Sequence, residues 1–423
     1  MLAKFNVFVV HAVAAGLFLI PAVMSAQAAG DNSQQPANPP ATVDVQPNTT
    51  PDSQAVSQTG LFPVFAVYMN FKASHVDGTD VPSKSPNNGV DSTFQSAWDA
   101  VKSGGFNTIL FSVDLKDPQA AARVANLCIW AKANNVTIIP ALANASAGSA
   151  GAFPAAIVSS LRGGDGQQFA AYTQISYFQL QNPVPAANLT LADAQKKQLE
   201  AVDALRNAES QALDGTGVQS TPIMVTVSFD YELVRQGAIA GVPLDPAAEQ
   251  KALDSLKKFL QPYAAVANVN AVSVTWFPRS ITSGDEGHFV SLLREVEAAL
   301  PGKKLLLDTG FSTAFNSSDQ QNQFITIALT NLAGLRANEG TDGGFLGVTI
   351  SQAVSNANAT AQPPAGTADP AQWNWNEKAK QLARMWSQGG KSPELTWWLE
   401  KVRGSRGLLN QDMTPAPALQ AVQ

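Results

Sequence analysis

The feature that most restricts this chain is an alternation. Short apolar segments, each followed by an amphipathic one, recur from about residue 60 to about residue 405. Strand patterns fall at 62–71, 107–115, 136–143, 174–182, 222–232, 270–277, 303–309 and 345–351. Helical patterns fall at 93–104, 118–134, 191–213, 246–261, 286–299, 318–337 and 373–388. Eight strands with helices between them predict an α/β fold of one domain, a closed parallel (β/α)8 TIM barrel over residues 60–405. An open doubly wound sheet is the competing architecture. No glycine-rich phosphate loop follows the first strand, which counts against that sheet and against nucleotide binding. The Gly- and Ala-rich segment 144–173 reads equally as a helix or as a lid.

A period of two within the strands sharpens the expectation. One parity of the fifth strand is Ile223, Val225, Val227, Phe229 and Tyr231; the other is Met224, Thr226, Ser228, Asp230 and Glu232. Only the first set can be buried cheaply under helices, so the second must face the barrel axis. The second strand repeats this, with Ile109, Phe111 and Val113 outward and Thr108, Leu110, Ser112 and Asp114 inward. The first places Phe65, Val67 and Met69 outward and Ala66, Tyr68 and Asn70 inward. Polar groups therefore gather at the carboxyl ends of the strands, where barrel enzymes keep their chemistry.

Three strand ends carry a resemblance. They are Tyr177-Phe178-Gln179-Leu180-Gln181-Asn182-Pro183, Ser273-Val274-Thr275-Trp276-Phe277-Pro278, and Lys304-Leu305-Leu306-Leu307-Asp308-Thr309-Gly310-Phe311. In this order the chain resembles clan A glycoside hydrolases, nearest in style to the galactanase-like families. The resemblance implies a polysaccharide or oligosaccharide as partner. It implies that Asn182 and Gln181 bind substrate and that Asp308 stands where the family has its nucleophile. The sequence departs from the pattern at four places. Pro183 fills the acid/base position and has no proton to give. Asp308 is shorter than the family's Glu by one carbon–carbon bond, ~1.5 Å. Phe277 replaces a Tyr, and no Trp ends the eighth strand.

A retaining mechanism needs two carboxyls about 5–5.5 Å apart. An inverting pair at about 6.5–9.5 Å could instead join Asp308 to Glu232 or Asp230, one as acid and the other as base. Against catalysis, Asp230 and Glu232 could simply pair with Arg279 or Arg235. Asp114 reads equally as a sugar-hydroxyl ligand or as a cap for the following helix. Tyr68 and Asn70 line the cleft or merely close the barrel, and Phe277 and Arg279 complete the candidate binding set. Three functions follow from different classes: a glycosidase of altered architecture, an inactive carbohydrate-binding barrel, and a structural or interaction barrel.

The histidines, His11, His75 and His288, lack metal-motif spacing, and no G-x-S-x-G elbow exists. No metal and no cofactor are expected. Cys128 sits in an apolar helical pattern and reads as a buried, inert thiol.

The amino terminus reads as an export signal over residues 1–28. Lys4 precedes an apolar run from Phe5 to Met24, and Ser25-Ala26-Gln27-Ala28 offers a cleavage site. An uncleaved anchor is the alternative, since the run is about 20 residues long. Residues 29–59 are a polar, Pro-rich linker too poor in apolar groups to order itself. Residues 406–423 show no periodicity and read as a disordered tail. Loss of Lys4 takes the net charge from -6 to -7, which gives no general attraction to nucleic acid. The expected location is periplasmic or extracellular, with no membrane insertion after cleavage.

Overall fold

The computed structural model describes residues 61–79, 89–162, 168–181, 191–227, 260–276, 285–313, 317–339, 344–355, 362–367 and 393–420, with 254, 257, 258 and 422. Residues 1–28, 29–59 and the helical pattern at 373–388 lie outside this set.

Eight parallel strands close into a barrel in sequence order. They are β1 (Val64–Tyr68), β2 (Thr108–Asp114), β3 (Thr137–Ala143), β4 (Phe178–Leu180), β5 (Ile223–Val227), β6 (Ala271–Trp276), β7 (Lys304–Thr309) and β8 (Phe345–Ile350). Each falls within a segment expected from the sequence. The described helices are α1 (Ser92–Val101), α2 (Ala120–Asn134), α3 (Ala147–Arg162), α4 (Leu191–Leu213), α5 (Asp285–Ala298), α6 (Ser318–Glu339), α7 (Pro393–Gly404) and the short α8 (Pro417–Gln420). Among them no helix is long and apolar enough to cross a membrane. The described residues of the segment 144–173 form α3, which packs between α2 and α4 in the outer ring, and a 3-10 helix at Gln168–Gln174 beside α2 and α3.

Local signals start and stop these elements. Asp91 accepts the Phe94 N–H at 2.9 Å and opens α1, whose buried face is Phe94, Ala97, Trp98 and Val101. Asn135, at φ 57°, ends α2 in the left-handed region. Cys128 is buried inside α2, and burial pushes its thiol well above the usual range, as an inert thiol requires. Trp98 and Trp130 are helix-core residues that meet edge to face at 5.7 Å.

The strand parities divide the interior into two cores. Ile109, Phe111, Val113, Ile223, Val225 and Val227 join the large core beneath the helices. Ala66, Leu110, Ile139, Met224, Ala271 and Leu306 form a small core on the barrel axis, with Tyr68 and Tyr177 packed against it. The axis is therefore plugged by apolar side chains, and ligand can enter only above them. Closure needs one special backbone position. The β7–β8 register shifts between Leu305 and Leu306, and Gly347 absorbs this with a φ of 149°. A Cβ at Gly347 would run into the Val64 carbonyl of β1.

The carboxyl terminus corrects the expectation of a loose tail. Leu408, Leu409, Ala418, Leu419 and Val422 are buried in the large core. The Leu408 and Leu409 N–H groups donate to Gln352 and Ala353, just past β8, at 3.0 and 2.9 Å. Beyond these bonds α8 packs on α6, and Val422 lies against Gly104 at the amino end of β2. This stretch thus runs the height of the barrel and seals its outer wall. It lacks periodicity because each apolar residue meets a different neighbour, so no helix or strand repeat records its burial.

Candidate functional site

The site is built at the carboxyl ends of the strands from side chains of inward parity. Above the axial core stand Tyr68 of β1, Ser112 of β2, Gln179 of β4, Thr226 of β5, Ser273 of β6, Asp308 of β7 and Thr349 of β8. Asp308 is the carboxyl at the centre of this group. The Ser273 hydroxyl donates to its Oδ2 at 2.7 Å. Its Oδ1 is buried and has no hydrogen-bond partner among the described residues. Asp308 as a whole keeps some exposure, so that exposure falls on its other atoms. Thr349 pairs with Asp308 across the β7–β8 ladder, and its Oγ1 is likewise buried without a partner.

The electrostatics follow from this enclosure. Taking a carboxylate out of water disfavours its charged form, and no cation among the described residues offsets that cost. Burial pushes Asp308 up from its ordinary 3.8 to about 6, with Ser273 and the nearby Thr349 hydroxyl opposing the rise. Thr349 is thus close enough to ease the charge without completing a well-formed hydrogen bond. A carboxyl in this state can give or accept a proton near neutral pH.

One aromatic group stands at the opening, Tyr68 at the end of β1. Burial pushes the Tyr68 phenol up, and a hydrogen bond with Ser112 opposes it. Tyr177, raised by burial as well, precedes β4 and lies at the opposite, amino end of the axial core. Both are partly exposed, with one edge on the axial core.

Other expected residues serve the scaffold. The Asn70 amide donates to the Val354 carbonyl at 2.8 Å and accepts the Val354 N–H at 3.0 Å, tying the end of β1 to the turn after β8. Asp114 Oδ1 accepts the Lys116 N–H at 2.9 Å and the Asn144 amide at 2.8 Å, fixing the turns after β2 and β3. Of its two sequence readings, the contacts favour capping, though of a turn and not of α2. Gln181 lies partly buried just past β4, and its N–H donates to Leu142 at 3.1 Å. Buried glutamines brace the same rim: Gln198 of α4 donates to the Leu180 carbonyl at 3.0 Å, and Gln321 of α6 to Phe311 at 2.7 Å.

Asp230, Glu232, Asn182, Phe277 and Arg279 lie outside the described residues, as do Pro183 and Arg235. Among the described residues no three His, Cys, Asp or Glu side chains gather closely enough to hold a metal ion. The partners of Asp308, Ser273 and Thr349, are not singled out from the sequence, nor is Ser112. Their inward parity is readable there, but which of them meets Asp308 depends on the stagger of the strands.

No family model and no curated protein matches the chain. Solved structures do. A β-D-glucuronidase for Dictyoglomus thermophilum matches with a TM-score of 0.44 and 10% identity, over 85% of this chain and 49% of that one. An intracellular xylanase from Thermoanaerobacterium saccharolyticum matches with a TM-score of 0.48 and 8% identity, over 87% of this chain and 98% of that one. A thermostable mutant of a xylanase from Cellvibrio japonicus matches with a TM-score of 0.47 and 11% identity, over 85% and 96%. The chain spans about half the length of the glucuronidase. The (β/α)8 barrel itself is established by the closed strand order, independently of these likenesses.

Proposed function

We propose that the mouth of this barrel binds an oligosaccharide or polysaccharide chain, with Asp308 as the carboxyl that receives a sugar hydroxyl. The observation that carries this reading is the setting of Asp308. It is an enclosed carboxyl, on a residue that keeps some exposure, at the end of β7, held by Ser273 among uncharged hydroxyls, with Tyr68 at the end of β1. Hydroxyl and amide groups match the alternating donors and acceptors of a neutral polyol. The Tyr68 ring suits the CH-rich face of a sugar ring. The motif resemblance of the β4, β6 and β7 ends points the same way. It would add Asn182, Gln181, Phe277 and Arg279 to the binding surface.

A second reading, hydrolysis, is favoured by one observation: Asp308 is raised to about 6, as a general acid working near neutral pH requires. Its partner base would be Glu232 or Asp230, at the separation of an inverting pair. The amino-terminal apolar run makes export to the periplasm or beyond part of the proposal, with a glycan and not a nucleic acid as partner.

The test is a glycan array followed by reducing-end release on every bound glycan, for the wild type, Asp308→Asn and Glu232→Gln. Binding without product identifies a carbohydrate-binding barrel. Product lost in both variants identifies a hydrolase. An array without any bound glycan refutes the carbohydrate reading and leaves a structural or interaction role.

A further inference from the structure

The buried polar groups of the mouth do not all have partners, and the lone ones face each other. Asp308 Oδ1 and Thr349 Oγ1 are both buried with no hydrogen-bond partner among the described residues, on positions paired across β7 and β8. Leaving such atoms unpaired in a closed interior is costly. One hydrogen resolves both: the Thr349 hydroxyl donates to the carboxylate, or the protonated acid donates to Thr349. On the other side the Ser273 hydroxyl already donates to Oδ2 at 2.7 Å. The carboxyl is therefore flanked by one hydroxyl from each neighbouring strand. Among the described residues no cation and no second carboxylate acts on it.

We propose that Thr349 and Ser273 are positioning residues, which hold the Asp308 carboxyl in one orientation and make recognition at the mouth depend on whether Asp308 carries a proton. This deepens the reading of the mouth as a carbohydrate site and rests on it for the consequence at the ligand. Protonated, Asp308 is a donor and an acceptor at once; ionised, it only accepts. The same sugar hydroxyl therefore meets different partners on either side of the transition. The two flanking hydroxyls set where that transition lies, because a donor to the carboxylate favours its charged form.

The titration of Asp308 tests this directly, by carbon-13 NMR of protein labelled at the aspartate carboxyl carbon, with the signal assigned by Asp308→Asn. Thr349→Val keeps the shape of the side chain and removes the hydroxyl. Its Asp308 transition should move up by about half a pH unit or more, the worth of one net hydrogen bond. Ser273→Ala should move it in the same direction, and Thr349→Ser should restore the wild-type position. A purely structural Thr349 would lower the melting temperature of Thr349→Val and leave the transition in place; that result overturns the inference. So does an Asp308 that titrates with the surface carboxylates in the wild type. Glycan arrays read at pH 5 and pH 7.5 supply the ligand arm. If no glycan binds at either pH while Thr349→Val moves the transition, the carbohydrate reading falls and the positioning roles stand. If glycans bind equally at both, the proton dependence of recognition is refuted.

Discussion

Replacing Asp308 with Asn should stabilise the protein at neutral pH and have no effect in acid. Asp308 binds its proton more tightly folded, near about 6, than unfolded, near 3.8. Below 3.8 the carboxyl is protonated in both states and burial costs it nothing through ionisation. As pH rises through the folded value, the folded state must carry a poorly solvated charge that the unfolded state carries in water. Stability is therefore lost with rising pH. A difference of about two pH units at 1.36 kcal/mol each gives a cost of about 3 kcal/mol above the transition. Asparagine avoids that cost. Its oxygen can still accept from Ser273, and its NH2 can donate to the lone Thr349 oxygen. With an unfolding entropy of ~2.1 cal/mol/K per residue over roughly 350 residues, 3 kcal/mol is about 4 °C in melting temperature. Calorimetry on the wild type and Asp308→Asn at pH 4 and pH 7.5 measures this. A gain of the same size at both pH values, or a loss at pH 7.5, refutes the assignment of a buried, uncompensated carboxyl. A gain confined to pH 7.5 is the signature of a group retained for function at the expense of stability.

Two further outcomes follow from the wall of the barrel. Leu408 is fully buried, so Leu408→Ala should cost about 2–5 kcal/mol in denaturant unfolding, where a residue in a loose tail would change stability by less than about 0.5 kcal/mol. At the amino end of β8, Glu297 accepts the Gly344 N–H and Glu339 the Phe345 N–H, both at 2.9 Å. Burial first, and then the neighbouring Glu339, push Glu297 up, with the Gly344 N–H and Lys304 opposing. A carboxyl raised on folding stabilises at low pH and loses that contribution as pH rises through its folded value. Glu297→Gln, which keeps an acceptor for Gly344 and gains a donor toward Glu339, should raise the melting temperature in the alkaline part of a pH series and not at pH 4. A rise at pH 4 and none in the alkaline part would refute the reading of Glu297 as a carboxyl raised by its surroundings.

How much of this could be read from the sequence depends on the range of the interaction concerned. The facing of β2 and β5 is a local property: a period of two in Ile109, Phe111 and Val113, or in Ile223, Val225 and Val227, is written in adjacent residues. The partner of Asp308 is not local. Thr275, and not Ser273, is its Cα partner on β6, and Ser273 reaches it diagonally from two residues below. That contact exists only once the strands take their stagger, which no single strand encodes. Asn70 shows the same limit, since its partner Val354 lies 284 residues away.

Stagger also decides which inward polar residues are free to act. In the sequence Asn70, Asp114 and Asp308 are all polar groups near a strand end, and only the family resemblance sets Asp308 apart. In the fold Asn70 holds both backbone groups of Val354, and Asp114 holds a backbone N–H and the Asn144 amide. A ligand that took these groups would have to replace bonds already made, so they have little free energy to offer it. Asp308 and Thr349 differ because their buried oxygens have only each other to pair with, and neither is tied to the scaffold's backbone among the described residues. A proton or a hydroxyl that arrives at this pair displaces one shared hydrogen at most, and no backbone bond of the frame. The mouth should therefore concentrate its affinity at β7 and β8 and leave the rim at β1 and β2 as frame.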